Sequence, residues 1–73
     1  MISDSEFLIQ FGHRVQQFRK AKGISQEAFA AECGLDRTYI SGIERGKRNV
    51  SLKNLRVIAR VLDVTLSRLF DGL

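Results

Sequence analysis

Glycines and capping side chains cut this sequence at short intervals, and no other feature narrows the possible folds as much. Gly23, Gly34 and Gly46 each precede, by two to five residues, a side chain suited to capping a helix: Ser25, Asp36 and Ser51. Glycine adopts the left-handed conformation that stops a helix, and a Ser, Thr or Asp oxygen accepts the free N–H groups that open the next. Between these marks the apolar residues recur at helical spacing. Phe7, Phe11, Val15 and Phe18 form one stripe with Leu8 at its edge, which predicts a first helix from about Phe7 to Lys22. Ser25 caps a second, Gln26 to Cys33, that buries Phe29, Ala30 and Cys33. Asp36 caps a third, Arg37 to about Arg45, with Ile40 and Ile43 inward. Ser51 caps a fourth whose stripe is Leu52, Leu55, Ile58, Ala59 and Leu62. Thr65 caps a last short helix carrying Leu66, Leu69 and Phe70. No segment alternates with period two, and the chain has no proline. The expected fold is all-α, five short helices with tight connections.

Seventy-three residues build one domain around one small core, here expected over 1–73. That leaves no room for a cofactor fold beside a substrate domain. No apolar run approaches the roughly 20 residues that span a bilayer, and Met1-Ile2-Ser3-Asp4 lacks the basic start of a signal segment. A single cysteine, Cys33, forms no internal disulfide and matches no metal motif, so it is expected as a small core residue in a reducing cytoplasm. His13 lies off the apolar stripe with no potential metal ligand beside it. No cluster of acid, base and nucleophile appears, and no glycine loop resembles a phosphate cradle. No enzyme activity, cofactor, metal or small-molecule substrate is expected.

The charge is unevenly placed. From Arg37 to Arg60 there are seven basic residues (Arg37, Arg45, Lys47, Arg48, Lys53, Arg56, Arg60) against one acid, Glu44, while each flank carries a net −1. A basic segment between faintly acidic flanks is the footprint of a surface that meets a polyanion, although a solvated surface can look the same. What separates the two is the form of the segment. Two short helices joined through Gly34, with small Ala30 where the second must approach, have the sequence form of a helix-turn-helix. In that motif the second helix enters the major groove of DNA.

The faces of the third helix fit this use. Ile40, Ile43 and Glu44 share one side; Thr38, Ser41, Gly42 and Arg45 share the other, with Arg37 at the N-terminal end. The outer side is short, polar and positive. A mid-helix glycine is disfavoured by about 1 kcal/mol relative to alanine, so Gly42 is either a tolerated defect or a place where another surface approaches. Glu44 on the inward side needs a partner. Arg19, at the edge of the first helix's stripe, is the candidate, in an ion pair that would fix the first helix to the third.

Gln26, Phe29, Ala30, Gly34, Ile40, Ile43, Glu44 and Gly46, at this spacing, resemble the Cro/phage-repressor (XRE) helix-turn-helix domain, over nearly the whole chain from Phe7 to Phe70. The run Leu35-Asp36-Arg37-Thr38-Tyr39-Ile40-Ser41-Gly42-Ile43-Glu44-Arg45, followed by Arg48-Asn49, is similar to the controller proteins of restriction–modification systems, small dimeric regulators of transcription. The resemblance implies that Gln26 binds a phosphate and braces the reading helix. It implies that Arg37 reads guanine, that Thr38 and Ser41 touch base edges, and that Arg48 is a second reader. Tyr39, Arg45, Lys47 and Asn49 would then hold the DNA backbone. Tyr39 could equally be a half-buried aromatic between helices, and Lys53, Arg56 and Arg60 a solvated face.

One short helix touches too few base pairs to select a single site, so a homodimer on a (pseudo)palindromic operator is expected. Leu62, Val64, Leu66, Leu69, Phe70 and Leu73 are more apolar residues than a short terminal helix can bury on its own domain, and are the expected seam. The alternative is an antitoxin-like or other protein-interaction module on the same scaffold, whose main surface would not require the basic loop. No membrane partner is expected, because the basic residues do not lie opposite one exposed apolar stripe.

Overall fold

The computed structural model describes all 73 residues, Met1–Leu73. The helices are α1 (Asp4–Ala21), α2 (Gln26–Cys33), α3 (Arg37–Glu44), α4 (Leu52–Leu62) and α5 (Leu66–Leu69). Every predicted cap makes its bond. Ser25 Oγ accepts from Ala28 N at 3.0 Å, Asp36 Oδ1 from Thr38 N at 2.7 Å, Ser51 Oγ from Asn54 N at 3.1 Å and Thr65 Oγ1 from Arg68 N at 3.0 Å. Each of these caps is preceded by an apolar residue (Ile24, Leu35, Val50, Val64) and has another four positions inside the helix (Phe29, Ile40, Leu55, Leu69), the spacing of a hydrophobic staple. The four preceding residues pack on the core, so the caps fix the angle at which each helix enters as well as its first residue.

Helix α1 begins three residues earlier than its apolar stripe suggests. Ser3 caps it, and Glu6 reaches back to Ser3 in a reciprocal capping box. At the other end Lys22 is the cap and Gly23 (φ +73°) turns the chain away. Helix α4 ends on Asp63, a non-glycine residue in the left-handed region (φ 59°).

One hydrophobic cluster holds the five helices together: Phe11 and Val15 from α1, Phe29, Ala30 and Cys33 from α2, Ile40 and Ile43 from α3, Ile58, Ala59 and Leu62 from α4, and Leu69 from α5. Helix α1 crosses α3 at Gly12, where an added Cβ would lie 2.7 Å from the Glu44 carbonyl oxygen. No helix is long and apolar enough to cross a membrane.

Two expectations about the stripes need correction. Leu52 is 75% exposed; as the first residue of α4 it lies at the edge of that stripe, and the burial starts with Leu55. Phe7 is also exposed, laid against Phe70 with ring planes 4° apart.

The expected dimer seam changes more. Leu62 and Leu69 are 4% and 0% exposed within the single chain and cannot also face a partner. Phe70 is half-buried, stacked on Phe11 with centroids 5.2 Å apart. Val64 and Leu73 are half-buried against the core. Of the six, Leu66 alone stays exposed. The physical reason is that α5 is a single turn that closes the end of the core between α1 and α4, so its apolar side points inward. Arg14 holds it there, donating to the carbonyls of Arg68, Leu69 and Asp71 at 2.8–3.3 Å.

Candidate nucleic-acid interface

The inner side of α3 is anchored by charge as well as by Ile40 and Ile43. Arg19 Nε donates to Glu44 Oε2 at 2.6 Å and Arg19 Nη2 to Glu44 Oε1 at 3.0 Å, a bidentate pair with both side chains buried. Arg19 Nη1 also donates to the Ile24 carbonyl at 2.8 Å, tying in the turn between α1 and α2. The Glu44 hydrogen bond holds the guanidinium pKa above its ordinary value, against the opposing effect of burial. Gln26, the first residue of α2, donates from Nε2 to Glu44 Oε1 at 3.0 Å. Three helices thus meet at one carboxylate, and no buried polar side-chain atom is left unpartnered. A buried ion pair of this kind adds little net stability but strongly penalises any arrangement that separates it. Its effect is to set the orientation of α3.

The outer side of α3 is left free. Arg37, Thr38 and Arg45 are exposed and Ser41 half-exposed. Arg37 leans toward Gln26 Oε1 at 3.5 Å, the outer limit of a hydrogen bond, so its fork is poised at the junction of α2 and α3 with its donors largely available. Arg45 Nε lies 3.4 Å from the Ser41 carbonyl, along the helix. Beyond the helix, Gly46 takes φ +74°, and an added Cβ there would lie 2.7 Å from Ile9 Cα, so both conformation and space require glycine. The turn presents Lys47, Arg48 and Asn49, all exposed, at the C-terminal end of α3.

Gly42 departs from its expected place. It is buried rather than displayed on the outer side, and the surface that approaches it is the chain's own Arg48. Tyr39 is the half-buried aromatic of the two readings left open: it packs against the core, and its hydroxyl accepts from Asn54 Nδ2 at 3.1 Å. Gln26 supplies the bracing role through Glu44; its amide is half-buried at the mouth of the α2–α3 junction. Lys53, Arg56 and Arg60 are exposed on one side of α4 and flank a shallow open groove with Val57.

Cys33 is a core residue. Its thiol pKa is pushed up to about 11, first by burial and then by the Glu32 carboxylate, with Arg60 pulling the other way. Burial and a protonated thiol both disfavour its reaction at neutral pH.

Sequence patterns alone missed the Gly12 crossing, the Arg14 clamp and the Gly42–Arg48 contact. Each joins parts of the chain that no local pattern connects. The Ser3–Glu6 box was visible as Ser-x-x-Glu immediately ahead of Phe7, where the apolar stripe begins.

Comparison with known proteins places these features in a family. Residues 15–69 match the helix-turn-helix family model. The control protein C.MunI of a Mycoplasma species is 51% identical over 70 residues, 94% of this chain and 95% of that protein. The crystal structure of the restriction–modification controller protein C.AhdI from Aeromonas hydrophila superposes with a TM-score of 0.87 at 49% identity, covering 89% of this chain and 98% of that one. A further neighbour, the controller protein C.Esp1396I solved as a tetramer with its natural 35 base-pair operator, has a TM-score of 0.79 at 41% identity over 88% of this chain and 84% of its own. The family match, the identity over most of both chains and the superposed fold agree: the chain belongs to the helix-turn-helix family, among the restriction–modification controller proteins.

Proposed function

We propose that this protein is a sequence-specific DNA-binding regulator of transcription that acts as a homodimer on a (pseudo)palindromic operator, as a restriction–modification controller. The observation that carries this reading is the outer side of α3. It is polar, positive and uncovered, and it is held rigidly because Glu44 on its inner side is fixed by Arg19 and Gln26. Such a helix fits the major groove. Arg37 is the principal base reader, its fork matched to guanine O6 and N7; Thr38 and Ser41 touch base edges beside it, and Arg48 reads at the other end of the helix. Lys47, Asn49 and Arg45 hold the backbone. Two copies related by a two-fold axis would place their α3 helices about 34 Å apart, one turn of duplex. With Leu62 and Leu69 inside the core, the seam is assigned to Leu66 and the accessible edges of Val64 and Leu73.

The protein works by occupancy, as one domain without cofactor or chemistry, in the cytoplasm. The C.Esp1396I operator complex supports the DNA partner. Selection from a random duplex pool tests the reading. The wild type should enrich a two-fold symmetric sequence. Arg37→Ala should lose discrimination at one base pair per half-site, by about 1–3 kcal/mol. Lys47→Ala should weaken every sequence alike and reduce the salt slope by about one. Enrichment of no sequence would refute the reading, and so would unchanged selectivity of Arg37→Ala.

A further inference from the structure

The centre of the reading helix holds a residue that helix formation disfavours. Gly42 is buried in α3, and the side chain of Arg48 passes over it: a Cβ at Gly42 would lie 3.0 Å from Arg48 Cγ, 3.3 Å from Nε and 3.6 Å from Cδ. Arg48 reaches this position because the chain folds back at once after α3, where Lys47 N–H donates to the Gly42 carbonyl at 2.8 Å and Gly46 takes a left-handed conformation. Its guanidinium carbon stands 5.5 Å from the centroid of the Tyr39 ring. That ring is itself fixed through the hydrogen bond from Asn54.

We infer that Gly42 and Tyr39 form a slot that pre-sets Arg48 as a specificity-determining side chain, Gly42 and Tyr39 being positioning residues for it. This rests on the proposed reading of DNA by α3. An arginine on an exposed loop samples many rotamers and loses that freedom when it binds. Here the stem passes so close over Gly42 that an added Cβ would press on Arg48 Cγ at 3.0 Å, and the guanidinium lies over the Tyr39 ring. A guanidinium held over a ring in this way keeps its N–H donors for an acceptor pair on a base. The slot also accounts for a glycine in the middle of α3, where alanine would make the better helix.

The experiment uses the duplex enriched by the wild type and measures selectivity position by position for Gly42→Ala, Tyr39→Leu, Arg48→Ala and the double variant Gly42→Ala/Arg48→Ala, with circular dichroism as the check on folding. Arg48→Ala should lose discrimination of about fivefold or more at one base pair per half-site, the lower range for a bidentate contact. Gly42→Ala should stay helical and lose discrimination at that same base pair, while the base pair read by Arg37 is unaffected. The double variant should lose no more than Arg48→Ala alone. Tyr39→Leu, which keeps an apolar side chain at the site but removes the ring, should affect the same position and supplies the test if Gly42→Ala unfolds. Wild-type selectivity in Gly42→Ala and Tyr39→Leu, additive losses in the double variant, or an Arg48→Ala protein with unchanged selectivity would each overturn the inference. If the wild type enriches no duplex, the reading of DNA itself has failed, and the inference with it.

Discussion

Replacing Arg19 with methionine gives the sharpest test of how α3 is held. Glu44 is 4% exposed and takes two of its three side-chain hydrogen bonds from Arg19, the third coming from Gln26. Removing the guanidinium leaves a buried carboxylate with a single neutral donor, a change that removes about 3–5 kcal/mol. At about 0.05–0.15 kcal/mol per residue, the 73-residue chain has a total stability of roughly 4–11 kcal/mol, so a large share disappears. With an unfolding entropy of about 2.1 cal/mol/K per residue, such a loss lowers the melting midpoint by about 20–30 °C. The assay is thermal and urea denaturation followed by circular dichroism at one fixed protein concentration, because the midpoint of a protein that dimerises depends on concentration. The double variant Arg19→Met/Glu44→Met removes the stranded charge and should recover most of the loss, since apolar pairs often replace buried ion pairs without penalty. It should nevertheless bind DNA more weakly, because α3 then loses the bonds from α1 and α2 and keeps only its cap and apolar packing to set its angle. A loss below about 1 kcal/mol in the single variant would refute this reasoning. So would a double variant no more stable than the single one.

Two further predictions concern packing and pH. Gly12→Ala places a Cβ against the backbone carbonyls of Ile43 and Glu44, which cannot move aside as a side chain can; it should destabilise the fold by about 1–3 kcal/mol in urea denaturation although alanine is the better helix former, and unchanged stability would show that the α1–α3 crossing is looser than described. The Cys33 thiol, with its pKa pushed up to about 11 from 9.0, ionises later in the folded than in the unfolded chain. Its contribution to stability is therefore complete below about pH 9 and lost as the pH rises through about 11. The wild-type melting midpoint should fall more steeply over that window than that of Cys33→Ala, and a thiol reagent at pH 8 should label the native protein far more slowly than the urea-unfolded one. Equal labelling rates would contradict the burial.

Local signals made most of this fold legible in its sequence. Gln26–Cys33 follows directly from a cap, an apolar stripe and a stop residue, Leu52–Leu62 from a cap and a stripe alone, and each cap bond is made as its residue type dictates. The Arg19–Glu44 pair was legible because a carboxylate on an apolar helix side requires a partner and few basic residues lie on the facing stripe. The terminal residues were misjudged for a different reason. Counting Leu62, Val64, Leu66, Leu69, Phe70 and Leu73 as too many for one short helix overlooks how much of α1 remains to be covered: Phe70 stacks on Phe7 and Phe11, and Arg14 ties the last turn down. Periodicity within one helix does not report what a distant helix offers it. Gly42 shows the same limit, since its neighbour Arg48 belongs to a loop whose path depends on Gly46 and on a backbone bond no pattern reveals.

Regulation by this protein requires the uncovered side of α3 to enter the duplex. Amide chemical-shift mapping with the enriched duplex tests it most directly. The largest changes should fall on Arg37, Thr38, Ser41 and the turn Lys47–Asn49, with the solvent side of α1 around Gln10 and Gln17 unmoved. Shifts centred on Leu52, Leu66 or the outer side of α4, with α3 silent, would contradict it.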